Sequence, residues 1–395
     1  MATTPLVLAD GTFSCILPGY TQLYIFHVVV ANNVAVPTLF CLVKGKEKQT
    51  YTTILRLVEE IARQDGTSFF NRPVTIMCDF EDGFISAVQD HYALVSIKCC
   101  FFHFVQNIRK KTTRIITKAK KAAGQSSPVV QLAQKTKRRL MMMPLLPEEV
   151  INSEVLDLII AAWRNEAPVQ LKNAFDRLAK TIRRTYVGAP QGQQPPRPRF
   201  PPHLWSVSGR SVRTNNGAES LHSTINPKTK GRLSLHRFLA IIEKAMAKDR
   251  DKLATGCEPE ARPAVPEKNT LLAVELHNLL GGWQGAISFL DNCASVISLK
   301  GRQDVARFVR RQENLWSDSL WSLNNRDSLI HATRNLFSPC IRLASCRMTR
   351  SVITSPSGRS KLFPLLLFQT ERMKTLTCLL LKPKRGRVSS TFAKR

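Results

Sequence analysis

Residues 6–43 read LVLADGTFSCILPGYTQLYIFHVVVANNVAVPTLFCLV, and this stretch decides the fold. Leu6-Val7-Leu8 is an apolar run that puts Asp10 within or at the end of a first strand. Gln22 to Val30 is β-branched and aromatic, and Val36 to Val43 repeats that character after the turn signal Asn32-Asn33. Two strands so close in sequence form an antiparallel hairpin. Beyond them the period changes. Ile54, Leu55, Leu57, Val58 and Ile61 make one helical face between Tyr51 and Arg63. Val74 to Met77 reads as a short buried strand ending at Cys78-Asp79, Phe84 to His91 as a helix, Ala93 to Cys99 as a strand, and His103 to Ala123 as a helix with a basic outer face. The order β-β-β-α-β-α-β-α predicts an α/β fold, a mixed sheet with helices packed on it.

Residues 124–187 predict helices around Val129–Met142, Pro147–Trp163 and Val169–Tyr186, with no convincing strand. GAPQGQQPPRPRFPP, at 188–202, cannot continue a helix and favours an extended linker. Asn215 to Asn226 and Ser234 to Lys252 return to helical spacing, and no internal repeat is present. From Pro339 onward the chain is basic, Ser/Thr-rich and poorly periodic, and is expected to be disordered.

The 395 residues carry 58 Lys+Arg against 29 Asp+Glu, a formal charge of +29. An enzyme for a neutral small molecule has no need of such a field; a polyphosphate partner does. Ten cysteines are too dilute for a disulfide scaffold, so reduced, intracellular thiols are expected. MATTPLVLADGTF lacks a basic-then-apolar leader pattern, and the apolar stretch from Phe363 to Leu381 is broken by Gln369, Glu371, Arg372 and Lys374. No membrane partner and no small-molecule substrate are expected.

Three carboxylates stand out by position: Asp10, Asp79 at the end of the Val74–Met77 run, and Glu219 in RTNNGAESLH. A carboxylate at the end of a buried strand is costly unless paired or bound to a cation. Several converging there would make an oxygen-ligand site for Mg²⁺. Taken singly, Asp10 could cap a turn with Gly11, and Glu219 could sit in a first helical turn.

The blocks DGTF at 10–13, DFE at 79–81, Cys100-Phe101-Phe102-His103 and NN-x-x-E at 215–219, the last preceded by Phe-Pro-Pro-x-x-Trp at 200–205, resemble the transposases of Mutator-like elements in order and spacing. The likeness spans roughly residues 5–245. It implies a ribonuclease-H-like mixed sheet flanked by helices, interrupted by an all-helical insertion before the third acidic residue. The implied division is 1–110 for the first part of the core, 111–203 for the helical insertion and linker, and 204–255 for the returning helical part. A helical extension at 256–338 and the basic tail at 339–395 follow.

By the same resemblance Asp10, Asp79 and Glu219 are the catalytic and metal-binding triad, with Glu81 or Asp82 as alternatives for the third place. They would hold two Mg²⁺ or Mn²⁺ ions for metal-dependent DNA cleavage and strand transfer. His222, one turn past Glu219, would share its face. Cys100 and His103 are the family's C-x-x-H signature. A lone pair falls short of the four ligands of a structural zinc, so zinc is not expected. No C-x₂₋₄-C…H-x₃₋₅-H pattern occurs, so a zinc-finger recognition module is not expected either.

No acidic residue lies between Asp90 and Glu148, an interval that contains Lys98, Arg109, Lys110, Lys111, Arg114, Lys118, Lys120, Lys121, Lys135, Lys137, Arg138 and Arg139. With Arg213, Lys228 and Lys230 beside Glu219, these predict a DNA-binding surface, although a short charge run is often only a solvated face. The expected partner is DNA, with a homo-oligomer assembling on it, and KPKRGR at 382–387 fits a nuclear protein. A non-catalytic DNA-binding protein and a nonfunctional remnant of an element are the competing readings.

Overall fold

In the computed structural model, the residues described are 5–13, 16–30, 35–64, 66, 68–70, 73–189, 197–210, 213–214, 221–222, 225, 234–254, 266–280, 285–298, 365–369 and 376–380. The opening stretch forms β1 (Leu6–Thr12), β2 (Gln22–Val29) and β3 (Ala35–Val43). These pair as an antiparallel meander, with Asp10 opposite Ile25 and Gln22 opposite Val43. After α1 (Lys48–Gln64), β4 (Val74–Cys78) pairs parallel with β1. After α2 (Asp82–His91), β5 (Val95–Cys99) pairs parallel with β4. The sheet therefore runs β5-β4-β1-β2-β3, and β6 (Leu365–Gln369) and β7 (Leu376–Leu380) extend it beyond β3.

The predicted alternation of elements is present, with strand ends moved by a residue or two. Two expectations differ. The helix anticipated from Pro147 starts at Ser153, because Asn152 caps it by accepting the Val155 N–H at 2.9 Å. Within the tail anticipated as disordered, two strands are described: Leu365-Leu366-Leu367-Phe368 is apolar enough to pair along β3. The rest of 339–395 lies outside the described residues.

Side-chain alternation sorts the sheet into two faces. Val7, Ala9, Tyr24, Phe26, Leu39, Cys41, Ile76 and Cys78 share one core with α1, α2 and the helices that follow β5. On the other face, Leu23, Ile25, Phe40 and Leu42 pack against Leu221, Ile225 and the Phe238, Ile242 and Met246 side of α8 (Leu235–Ala254). Leu8, Met77 and Cys100 form a small third cluster. The sheet is thus covered by helices on both sides.

From Phe101 to Trp205 every described element is helical. α3 (Phe101–Ala123) buries Phe104, Ile108, Thr112, Ile115, Ile116 and Ala119 along one stripe and ends at Gly124, whose φ of +82° favours glycine. α4 (Pro128–Met142) opens with Ser127 as its cap and Pro128 in its first turn. α5 (Ser153–Glu166), α6 (Val169–Ile182), a π turn at Arg183–Val187 and the short α7 (Pro202–Trp205) complete this part. α9 (Pro266–Leu280) and α10 (Ala286–Ser298) follow α8. Arg139 of α4 donates to both carboxylate oxygens of Asp291 on α10, at 2.8 and 2.7 Å. Two cations of the acid-free interval, Arg139 and the neighbouring Lys135 at 3.5 Å, are therefore spent on holding α10.

Candidate active site

The glycines of the two aspartate blocks set the backbone first. A Cβ on Gly11 would come within 2.6 Å of the Gln22 side-chain oxygen, so a larger residue after Asp10 would have to displace that buried amide. A Cβ on Gly83 would meet the Lys46 carbonyl at 2.1 Å, so the first turn of α2 rests directly on the 46–48 backbone.

The register then brings the aspartates together. Ala9 and Cys78 are the last paired residues of the parallel strands β1 and β4, and Asp10 and Asp79 are the residues that follow them. Asp10 shares the alternation of Leu8, and Asp79 that of Met77, so both belong to the face of the Leu8–Met77–Cys100 cluster. Asp10 is 4% exposed and its Oδ1 accepts the Gly11 N–H at 2.9 Å. The Asp79 side chain is 43% exposed, and its Oδ1 accepts the Phe80 N–H. The site thus pairs a buried carboxylate with one open to solvent.

Two histidines complete the cluster. The Cys100 N–H donates to the Cys78 carbonyl at 2.9 Å, and Cys100 caps α3, so His103 falls in the first turn of that helix. His103 Nδ1 lies 3.9 Å from Asp79 Oδ1, and its ring bonds the Cys100 side chain. Burial alone would depress His103, but the Cys100 bond and the charges of Asp79 and Asp10 outweigh it and push it up to about 9. His222 Nδ1 lies 3.6 Å from Asp10 Oδ2. Burial, and after it repulsion from His103, pushes His222 down to about 4. His27, opposite Leu8 in the register, is pushed down to about 3 by burial and by His222. The C-x-x-H pair is thus part of the carboxylate site, with the Cys100 side chain turned to the His103 ring. Among the described residues no group of three or more His, Cys, Asp or Glu forms a metal cage.

Glu219, Lys228 and Lys230 lie outside the described residues. The alternatives for the third carboxylate have other partners. Glu81 lies 3.2 Å from Lys46 Nζ and bonds the Tyr51 hydroxyl, which also takes a bond from Gln22. Asp82 forms an ion pair with Arg199. Of the proposed DNA contacts, Lys110, Lys111, Arg114, Lys118 and Lys121 are exposed on α3, and Lys120 is half-buried. Arg213 is half-buried; its Nε donates to the Arg210 carbonyl at 3.0 Å, and its own carbonyl accepts the Phe101 N–H at 2.9 Å.

The Phe-Pro-Pro-x-x-Trp block has a positional role that spacing alone did not reveal. Trp205 Nε1 donates to the Phe200 carbonyl at 2.9 Å, and the indole stacks on Phe104 at 4.7 Å. Phe200 packs edge-on against Phe80, the residue after Asp79, at 5.2 Å. The segment that closes the helical part thereby grips the Asp79 loop through Phe200 and Arg199. His27 was also missed, although a histidine inside the apolar run QLYIFHVVV is a signal of a polar group entering a core.

Residues 6–107 match the family model of the MULE transposase domain. The match contains Asp10, Asp79, Cys100 and His103. No curated protein and no solved structure matches the chain.

Proposed function

We propose that the chain carries a transposase-derived DDE core that cleaves DNA and transfers strands by phosphoryl transfer. The observation that carries this reading is the placement of Asp10 and Asp79 at the carboxyl ends of adjacent parallel strands, on one face of the sheet. Three further features support it. The β5-β4-β1-β2-β3 order, with β2 alone antiparallel to its neighbours, is the arrangement expected of a ribonuclease-H-like core. A helical insertion at 111–203 remains part of the proposal, and helices follow β5 from Phe101 onward. Arg213, whose carbonyl accepts the Phe101 N–H at the start of α3, and His222, beside Asp10, bracket Glu219 in sequence.

A buried and an exposed carboxylate at neighbouring strand ends suit a hard divalent cation, which prefers oxygen ligands and retains water. Mg²⁺ or Mn²⁺ held by Asp10, Asp79 and Glu219 would neutralise charge on the transferring phosphate and activate the attacking oxygen. The chain's own contribution is positional. Gly83 lets the first turn of α2 rest on the 46–48 backbone, Phe80 and Phe200 fix the Asp79 loop, and His103 keeps its proton beside Asp79 at neutral pH. The exposed cations of α3 would neutralise DNA phosphates beside the site. KPKRGR makes the nucleus the proposed location.

The test is cleavage of duplex DNA by the purified chain with Mg²⁺ or Mn²⁺, wild type against Asp79→Asn. Wild-type nicking that falls by about 100-fold or more in the variant supports the reading. Equal cutting by both sinks it. Binding without cutting under either ion favours the non-catalytic DNA-binding protein.

A further inference from the structure

Exposed aromatic rings are rare among the described residues. Of the phenylalanines whose exposure is described, two stand open to solvent, Phe13 at 55% and Phe102 at 38%. The others in that set are buried or half-buried in one of the cores. Both open rings flank the carboxylate pair: Phe13 lies three residues beyond Asp10, and Phe102 directly precedes His103.

The topology puts them at one end of the sheet. β1, β3, β4 and β5 run in the same direction, so the segments leaving their carboxyl ends emerge together. Those segments carry Phe13, then Lys44 and Lys46, then Asp79, then Phe102 and His103. Lys46 Nζ lies 4.4 Å from the centroid of the Phe13 ring and 3.2 Å from the Glu81 carboxylate. The ring is therefore held on one face by an ammonium that is itself anchored, while the ring as a whole stays more than half exposed. An anchored cation beside an open aromatic face offers a phosphate contact and a stacking surface together.

Folding does not explain this arrangement, because an exposed phenylalanine contributes little burial. A flat, π-faced ligand with adjoining negative charge matches both features, and a nucleotide has that chemistry. Paired bases inside a duplex hide their faces, so the ligand must be unpaired.

We infer that Phe13 and Phe102 form a stacking platform for unpaired nucleobases of DNA on either side of the Asp10–Asp79 pair. This deepens the proposed function and rests on DNA being the partner. The platform makes frayed or single-stranded DNA, rather than intact duplex, the preferred state at the reacting phosphate.

The experiment uses the full chain in EDTA, so that no chemistry intervenes. The probes are a blunt duplex and the same duplex with a short unpaired extension carrying 2-aminopurine. Wild type should bind the extended duplex about tenfold more tightly, and binding should quench the 2-aminopurine by stacking. Phe13→Ala should lose most of that preference and of the quenching, Phe102→Ala part of it, and Phe13→Trp should retain both. Blunt-duplex affinity should stay unchanged in all three, since the α3 cations carry it. Circular dichroism and thermal melting would confirm that the exposed substitutions leave the fold intact.

Equal wild-type affinity for the two probes, or quenching that survives Phe13→Ala, overturns the platform and leaves the DNA reading standing. Failure of the wild type to bind either probe removes both. A substitution that changes only the sedimentation of the DNA-free protein makes these rings a contact between two copies, and also overturns the inference.

Discussion

The imidazole Nδ1 of His222 lies 3.6 Å from the Asp10 carboxylate, although more than two hundred residues separate them along the chain. On the far side of the same cluster His103 stands 3.9 Å from Asp79. The two histidines are biased in opposite directions, and this gives the fold a pH profile with two flanks.

His103 is pushed up from 6.5 to about 9, so its protonated form favours the folded state. Its stabilisation is complete below about pH 6.5 and is lost as pH rises through about 9. His222 is pushed down to about 4, so its neutral form favours the folded state. That stabilisation is complete above about pH 6.5 and is lost as pH falls toward 4. Urea midpoints should therefore peak near pH 6.5. His103→Gln should flatten the alkaline flank, by on the order of 3 kcal/mol at most, and His222→Gln should reduce the acid flank, the rest of which belongs to His27. Parallel profiles for wild type and both variants would contradict these assignments. Asp79→Asn should lower the His103 titration itself, as followed by NMR of the ring protons.

The Arg139–Asp291 pair ties α4 to α10 through two hydrogen bonds, with Arg139 almost wholly buried. Asp291→Ala strands that guanidinium. The loss should be about 2–3 kcal/mol in denaturant unfolding, less than a fully buried pair would show because Asp291 is about one third exposed. Replacing both residues with apolar ones of similar size should recover most of it. A single variant as stable as wild type would show that α10 is held by its apolar contacts alone.

Phe200 sits between the end of the helical part and the Asp79 loop. Truncating it to alanine removes a buried ring and should cost about 3 kcal/mol. It should also lower metal-dependent cleavage at temperatures where the variant remains folded, because Phe80 loses its edge-on partner. Arg199→Ala removes the exposed pair with Asp82 and the guanidinium 5.3 Å from the Phe200 ring centroid, and should cost about 1 kcal/mol. Thermal melts and single-turnover cleavage of both variants separate packing from positioning.

The cations of the acid-free interval should divide into two sets when DNA affinity is measured against salt. Replacing Lys110, Lys111 and Arg114 with alanine should reduce the logarithmic salt slope by about 2–3, since each exposed cation releases roughly one counterion. Replacing Lys135 should hardly change it, because that side chain faces Asp291. Identical slopes for both sets would mean that the α3 stripe is only solvated.

Most of the fold was legible in the order of residues. Strand and helix periods are local properties, so the hairpin at 22–43, the switch to a helix at Tyr51 and the helical run after Cys99 follow from side chains a few positions apart. Asp10 and Asp79 stand out in the sequence because each follows an apolar run, whereas Cys100 and His103 stand out only through the family resemblance. Glycines 11 and 83 could be seen but not explained, since the atoms they make room for belong to β2 and to the 46–48 backbone.

Only the tertiary structure decided which charges meet. Alternation along β1 could give Asp10 a face, but the parallel register with β4 set Asp79 beside it, and the docking of residue 222 set a histidine against it. Arg139 and Lys135 looked like the cations of α3 until α10 supplied Asp291, and Asp82 looked like a spare ligand until Arg199 closed on it. The physical reason is range. Periodicity is written within one or two turns of chain, whereas an ion pair depends on how two distant elements pack, and no local spacing encodes that distance.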